Sequence, residues 1–168
     1  MAALMQTLSK RVLLGAALAG GIPIALLLSA FATEFKPEDI EQPPVFLSAG
    51  KPSLEMGQSF SILSWNLQYC AGRNRHFFYD GGSAVHGDPE EVMETLTQII
   101  ESIKSANPDL ILIQEIDRNA KRTQNIDQLR MFVDQIGGVS WTGTPYHKSP
   151  FVPMPLSNPL GRVDLNLA

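Results

Sequence analysis

The sequence predicts an α/β fold set behind an N-terminal apolar segment. Two observations carry this. A strand, a capped helix and a second strand follow one another between Phe60 and Glu115, the pattern of a parallel crossover. Residues 12–32 contain no charged side chain and follow Lys10-Arg11. Composition agrees with a folded body. Of 168 residues, 44% are hydrophobic and 18% charged, which excludes a disordered polyelectrolyte, a collagen-like repeat and a coiled coil.

The apolar run, VLLGAALAGGIPIALLLSAFA, would span about 31 Å as a helix, enough for a bilayer core. Residues 1–11 form the basic flank and read as a cytoplasmic n-region. Glu34, Glu38, Asp39 and Glu41 follow the run, so the charge bias places the body outside the cytoplasm. Residues 12–32 therefore read either as a transmembrane anchor or as a signal peptide. Ala30-Phe31-Ala32 has the small-x-small form of a cleavage site, while the run is longer than a usual signal core. Either way the chain is expected to be membrane-anchored or exported.

Residues 33–59 carry Pro37, Pro43, Pro44 and Pro52 and read as a linker. The organised part, residues 60–168, opens with Phe60-Ser61-Ile62-Leu63-Ser64-Trp65-Asn66, a buried strand. A long Gly-, Arg- and aromatic-rich loop occupies residues 70–87. Asp88-Pro89-Glu90-Glu91 then starts a helix: Asp88 caps, Pro89 fits the first turn and Glu91 completes a capping box. Val92, Leu96, Ile99 and Ile103 form its apolar stripe, and Asn107-Pro108 stops it. Residues 109–115 form the second buried strand. A further helix is expected near residues 126–137, ended by Gly137-Gly138, with a Pro-rich irregular stretch from Trp141.

Both strands end in polar residues, Asn66 on the first and Gln114-Glu115 on the second. Ligands gather at the carboxyl ends of strands in α/β sheets. If the strands pair in parallel, Asn66 and Glu115 share one rim. An amide oxygen and a carboxylate are hard ligands suited to Mg²⁺ or Mn²⁺. On the residues alone, a second reading stands beside this one: Asn66 makes a turn hydrogen bond, and Glu115 pairs with Arg118 or Arg122.

The segment FSILSWNL, followed later by LIQEID, resembles the endonuclease/exonuclease/phosphatase family, which includes deoxyribonuclease I. The resemblance implies a four-layered α/β sandwich, of which residues 60–168 supply the N-terminal part. It makes Glu115 the direct metal ligand and Asn66 its partner, with Mg²⁺ or Mn²⁺ as the cofactor. The implied activity is hydrolysis of phosphoesters. The family's later Gly-Asp-x-Asn and Ser-Asp-His motifs do not occur in this sequence. The expectation is therefore a truncated hydrolase, inactive by itself. The alternative is a membrane-tethered, non-catalytic binding module.

All 17 acidic residues lie beyond residue 32, as do all but two of the 13 basic ones. Such an acidic body does not suit non-specific nucleic-acid binding. It tilts the substrate toward a phospholipid head group or a small phosphoester, with nucleic acid left open. Other polar groups have two readings each. Arg73 to Gly82 either closes over a phosphate or packs as a structural loop. Arg118, Lys121 and Arg122 either face a phosphate or pair with Asp117 and Asp127. Asp164-Leu165-Asn166 has the Asp-x-Asn spacing but is read as part of a strand after Arg162. His76, His86 and His147 read as lone loop histidines, and Cys70 as a buried small residue.

Overall fold

The computed structural model describes residues 20–49 and 55–168. It divides into two units, residues 1–34 and 35–168.

In the first unit, residues 20–32 are helical (α1), and every residue of the stretch is solvent-exposed, Leu26, Leu28 and Phe31 included. No helix among the described residues is long and apolar enough to cross a membrane. Residues 12–19 of the expected membrane segment, together with its basic flank, lie outside the described residues.

The second unit is mixed α/β. Its elements are β1 (Val45–Phe46), β2 (Ile62–Asn66), α2 (Pro89–Ala106), β3 (Leu110–Gln114), β4 (Ile116–Asp117), α3 (Gln128–Ile136), β5 (Trp141–Thr142), β6 (Thr144–Val152) and β7 (Gly161–Leu167). They form three small sheets, β1-β5, β2-β3 and β4-β7-β6. The strand–helix–strand pattern gives a parallel pair, with Ile62 opposite Leu110 and Asn66 opposite Gln114. A pair of backbone hydrogen bonds between Ile113 and Ala168 joins the end of β7 to β3.

The sequence chemistry of α2 is realised almost as read. Asp88 Oδ1 accepts from the backbone N–H groups of Glu90 and Glu91, and Val92, Leu96, Ile99, Ile100 and Ile103 are buried. The capping box is not closed, because the Glu91 carboxylate pairs with Arg75 instead. A guanidinium is a stronger partner for a carboxylate than one backbone N–H. The stripe packs with Leu67, Ile113, Ile116, Leu129 and Phe132 into the main core. A second core gathers Tyr69, Phe77, Val85, Leu160, Val163 and Leu165.

Three stretches differ from the expectation. β2 and β3, read as buried strands, are largely exposed: Leu63, Ile111 and Ile113 pack on the main core, while Ile62, Trp65, Leu110 and Leu112 on the two-stranded sheet lie at the surface. The Pro-rich segment does more than span: β1 pairs with β5, Phe46 stacks on Trp141 at 4.3 Å, and Glu41 accepts from Thr144 Oγ1. The stretch from Trp141 is not irregular; most of it is β-strand. Pro145 and Pro150 lie in β6, which is the edge of its sheet, where a missing N–H costs no ladder bond. His147 consequently lies in β6 and not in a loop.

Candidate functional site

The carboxyl ends of β2 and β3 are stitched together by backbone. Leu67 N–H donates to the Gln114 carbonyl at 2.9 Å and Tyr69 N–H to the Glu115 carbonyl at 2.8 Å. The chain takes unusual conformations to do this. Gln68, Tyr69 and Cys70 have φ of 46°, 45° and 57°, and Glu115 has φ of 56°. Non-glycine residues in this left-handed region are strained, at about 1–3 kcal/mol each, and such strain clusters at functional sites. Three in succession on one side, facing a fourth on the other, concentrate such strain at this rim.

The surroundings hold the strained turn in place. Gln128, wholly buried, donates from Nε2 to the Tyr69 carbonyl at 2.7 Å and accepts from the Asp117 N–H at 3.0 Å. Asp117 is also wholly buried. Its carboxylate takes two hydrogen bonds from Arg122 and one from the Thr123 hydroxyl. Burial pushes the Asp117 carboxyl up, and the Arg122 fork opposes that shift. The Arg122 guanidinium lies 3.6 Å from the centre of the Tyr69 ring. Tyr79 accepts from Arg122 Nη1 at 3.4 Å and donates to the Tyr69 hydroxyl at 2.8 Å.

Asn66 and Glu115 fall on this rim, as the strand ends require. Asn66 Oδ1 accepts from the Gln68 N–H at 2.9 Å, the turn bond that the sequence allowed, and retains a second lone pair. Glu115 is half-buried, and its carboxylate makes no hydrogen bond or ion pair among the described residues. The arginines that competed for it are taken: Arg122 by Asp117 and Arg118 by Asp127. The negative charge of Glu115 is felt by its neighbours. It adds to burial in raising the pKa of Tyr146, and to burial and the Tyr79 hydrogen bond in raising that of Tyr69.

Beside the rim, Asn66 also lines a cleft to which Glu115 does not contribute. A polar cleft of about 1230 Å³ lies between the end of β2, residues 71–84 and the wet face of α2, lined by Asn66, Gln68, Arg73, Arg75, Glu94 and Gln98 among others, with Glu115 outside it. Arg75 belongs to Glu91, so the loop is pinned to α2 as a structural element. No group of three His, Cys, Asp or Glu converges for a metal among the described residues.

The remaining polar residues follow their bland readings. Asp164 and Asn166 lie in β7; the Asp164 carboxylate takes Asn166 Nδ2, Arg162 and Lys148. Cys70 is fully buried, and its thiol is pushed up to about 12, mainly by burial. Sequence reasoning missed Tyr69, Tyr79 and Gln128. Their signal was weak: a tyrosine in a loop and a glutamine on a helix carry no pattern. Pairing of Arg122 with Asp117 was one of the two readings that the sequence allowed, and it is the one the structure shows. Comparisons with family models, curated proteins and solved structures give no match for this chain.

Proposed function

We propose that the rim of β2 and β3 is the metal end of a phosphoester hydrolase of the endonuclease/exonuclease/phosphatase type, with Glu115 as the metal ligand and Asn66 as its partner. One observation carries this reading: Glu115 stands unpaired at the end of a strand in parallel register with the Asn66 strand, although two arginines lie within reach in sequence. A partly buried carboxylate without a counter-charge is a ready partner for a cation.

The donor set fits a cation that keeps most of its water. Mg²⁺ is commonly bound by one or two carboxylates plus water and substrate oxygens. Glu115 supplies the charge and Asn66 Oδ1 has a free lone pair. When bound, such an ion polarises a phosphoryl oxygen and offsets developing negative charge. The chain's own residues fix the geometry. The backbone bonds between β2 and β3 set the spacing of the two strand ends, and the Asp117–Arg122 and Asp127–Arg118 pairs keep both arginines away from Glu115. The water-activating groups that the resemblance implies are not assigned to any residue of this sequence.

The same reading makes β2-β3 part of a four-layered sandwich and places the body outside the cytoplasm behind residues 12–32. The metal assignment is tested by titrating Mn²⁺ into the chain and following the electron paramagnetic resonance of the free ion, with Mg²⁺ as competitor. Wild type should bind one Mn²⁺ that Mg²⁺ displaces. Glu115→Gln should lose this binding and Asn66→Ala should weaken it. Equal binding by wild type and Glu115→Gln would remove Glu115 from the role.

A further inference from the structure

We propose that the Tyr69 hydroxyl, held in place by Tyr79 and Arg122, is the donor that binds a phosphoryl oxygen beside Glu115. This rests on the reading of Glu115 as the metal ligand and adds a substrate contact that the strand-end motifs do not supply.

The argument is a count of protons. Tyr69 and Tyr79 carry one hydroxyl proton each, and only one can lie between oxygens 2.8 Å apart. Arg122 Nη1 approaches the Tyr79 oxygen at 3.4 Å and turns the Tyr79 proton toward Tyr69. The proton left over is that of Tyr69, and no acceptor takes it among the described residues. The chain Arg122, Tyr79, Tyr69 is a series of donors ending in one unspent O–H. Each bond in such a series polarises the next, which strengthens the terminal donor.

Position agrees. The Tyr69 backbone is bonded to the Glu115 carbonyl, so the ring starts from the metal-side rim. Tyr79 is 45% exposed and Tyr69 only 5%, and the bond between their hydroxyls is partly buried. Tyr69 also sits in the left-handed region in the middle of three strained residues, and Gln128 is dedicated to its carbonyl.

The test uses Tyr69→Phe, which keeps the ring over Arg122 and removes one oxygen. Calorimetry would measure Mg²⁺ binding first, then inorganic phosphate binding at saturating Mg²⁺, with thermal melts as the check on folding. The expected result is an unchanged Mg²⁺ affinity and a phosphate affinity at least about ten-fold weaker, the effect of losing one hydrogen bond to a charged acceptor. Unchanged phosphate affinity in a folded Tyr69→Phe that still binds Mg²⁺ would overturn the Tyr69 assignment and leave Glu115 standing. Wild type that binds Mg²⁺ but no phosphate would overturn it as well. Failure of wild type to bind Mg²⁺ would remove both readings.

Discussion

Arg122 grips Asp117 with two parallel hydrogen bonds of 2.8 and 2.9 Å, and the pair is shut away from water. This pair ties β4 to the loop that follows it and, through the Tyr69 ring and Tyr79, to the strained turn after β2. It also explains why Glu115, two residues before Asp117, is left without a cation.

Removing one partner strands the other charge in the interior. Arg122→Met should therefore destabilise the chain by about 3–5 kcal/mol, while the double variant Arg122→Met/Asp117→Leu should recover much of that loss. Urea melts of the three proteins decide it. A single variant within about 1 kcal/mol of wild type would show that the pair is dispensable.

Cys70 should be inert in the folded chain. It is the only cysteine, it is fully buried, and burial with the Asp117 charge pushes its thiol up to about 12. The thiolate is the reactive form, so a thiol-specific chromogenic disulfide at pH 8 should label it only when the chain opens. Labelling in urea should release one equivalent. Rapid labelling in native buffer would show that the turn of residues 68–70 is open in solution.

Acid should loosen the start of the parallel pair. Ser61 donates from both N–H and Oγ to Asp109 Oδ2 at 2.8 Å, and these bonds hold the Asp109 carboxyl below the usual carboxylate range. The folded chain thus binds this proton more weakly than the unfolded chain does. The stabilisation is complete above the ordinary carboxylate range and is lost as pH falls through the lower folded value. Asp109 is exposed, so the effect is modest. The melting temperature of Asp109→Asn should depend less on pH below about pH 4 than that of wild type. An identical acid dependence in the two proteins would contradict this.

The parts of the fold that the sequence revealed are those in which local chemistry and tertiary packing agree. Asp88, Pro89 and the Val92–Ile103 stripe announce α2 because cap and apolar face act within one helix. β2 and β3 announce themselves as apolar runs, and the helix between them dictates their parallel pairing. β6 was hidden by Pro145 and Pro150, which read as breakers and become acceptable only at a sheet edge, a tertiary fact. β1 was hidden in the same way, because two residues pair only once Trp141 arrives to stack on Phe46. At the candidate site, Asn66 and Glu115 were legible from their place at strand ends. Tyr69, Tyr79 and Gln128 were not, since their roles arise from contacts between distant segments and from left-handed backbone that no residue type here advertises.

Gln128 offers the sharpest test of how the rim is held. Its amide satisfies two buried backbone groups at once, the Asp117 N–H and the Tyr69 carbonyl, and nothing of it reaches solvent. Gln128→Met keeps the length and volume of the side chain but leaves both groups without a partner. Each unsatisfied buried group costs about 1–3 kcal/mol, so the variant should lose several kcal/mol in a urea melt. The loss should have a local signature. With its carbonyl released, the turn at Gln68, Tyr69 and Cys70 has less to hold it in the left-handed region, and the strain stored there favours opening. Native-state thiol labelling of Cys70 should accelerate in Gln128→Met by more than the change in global stability accounts for. If labelling and global stability change in step, the turn does not depend on Gln128, and the strain at the β2 rim is held by the backbone bonds to Gln114 and Glu115 alone.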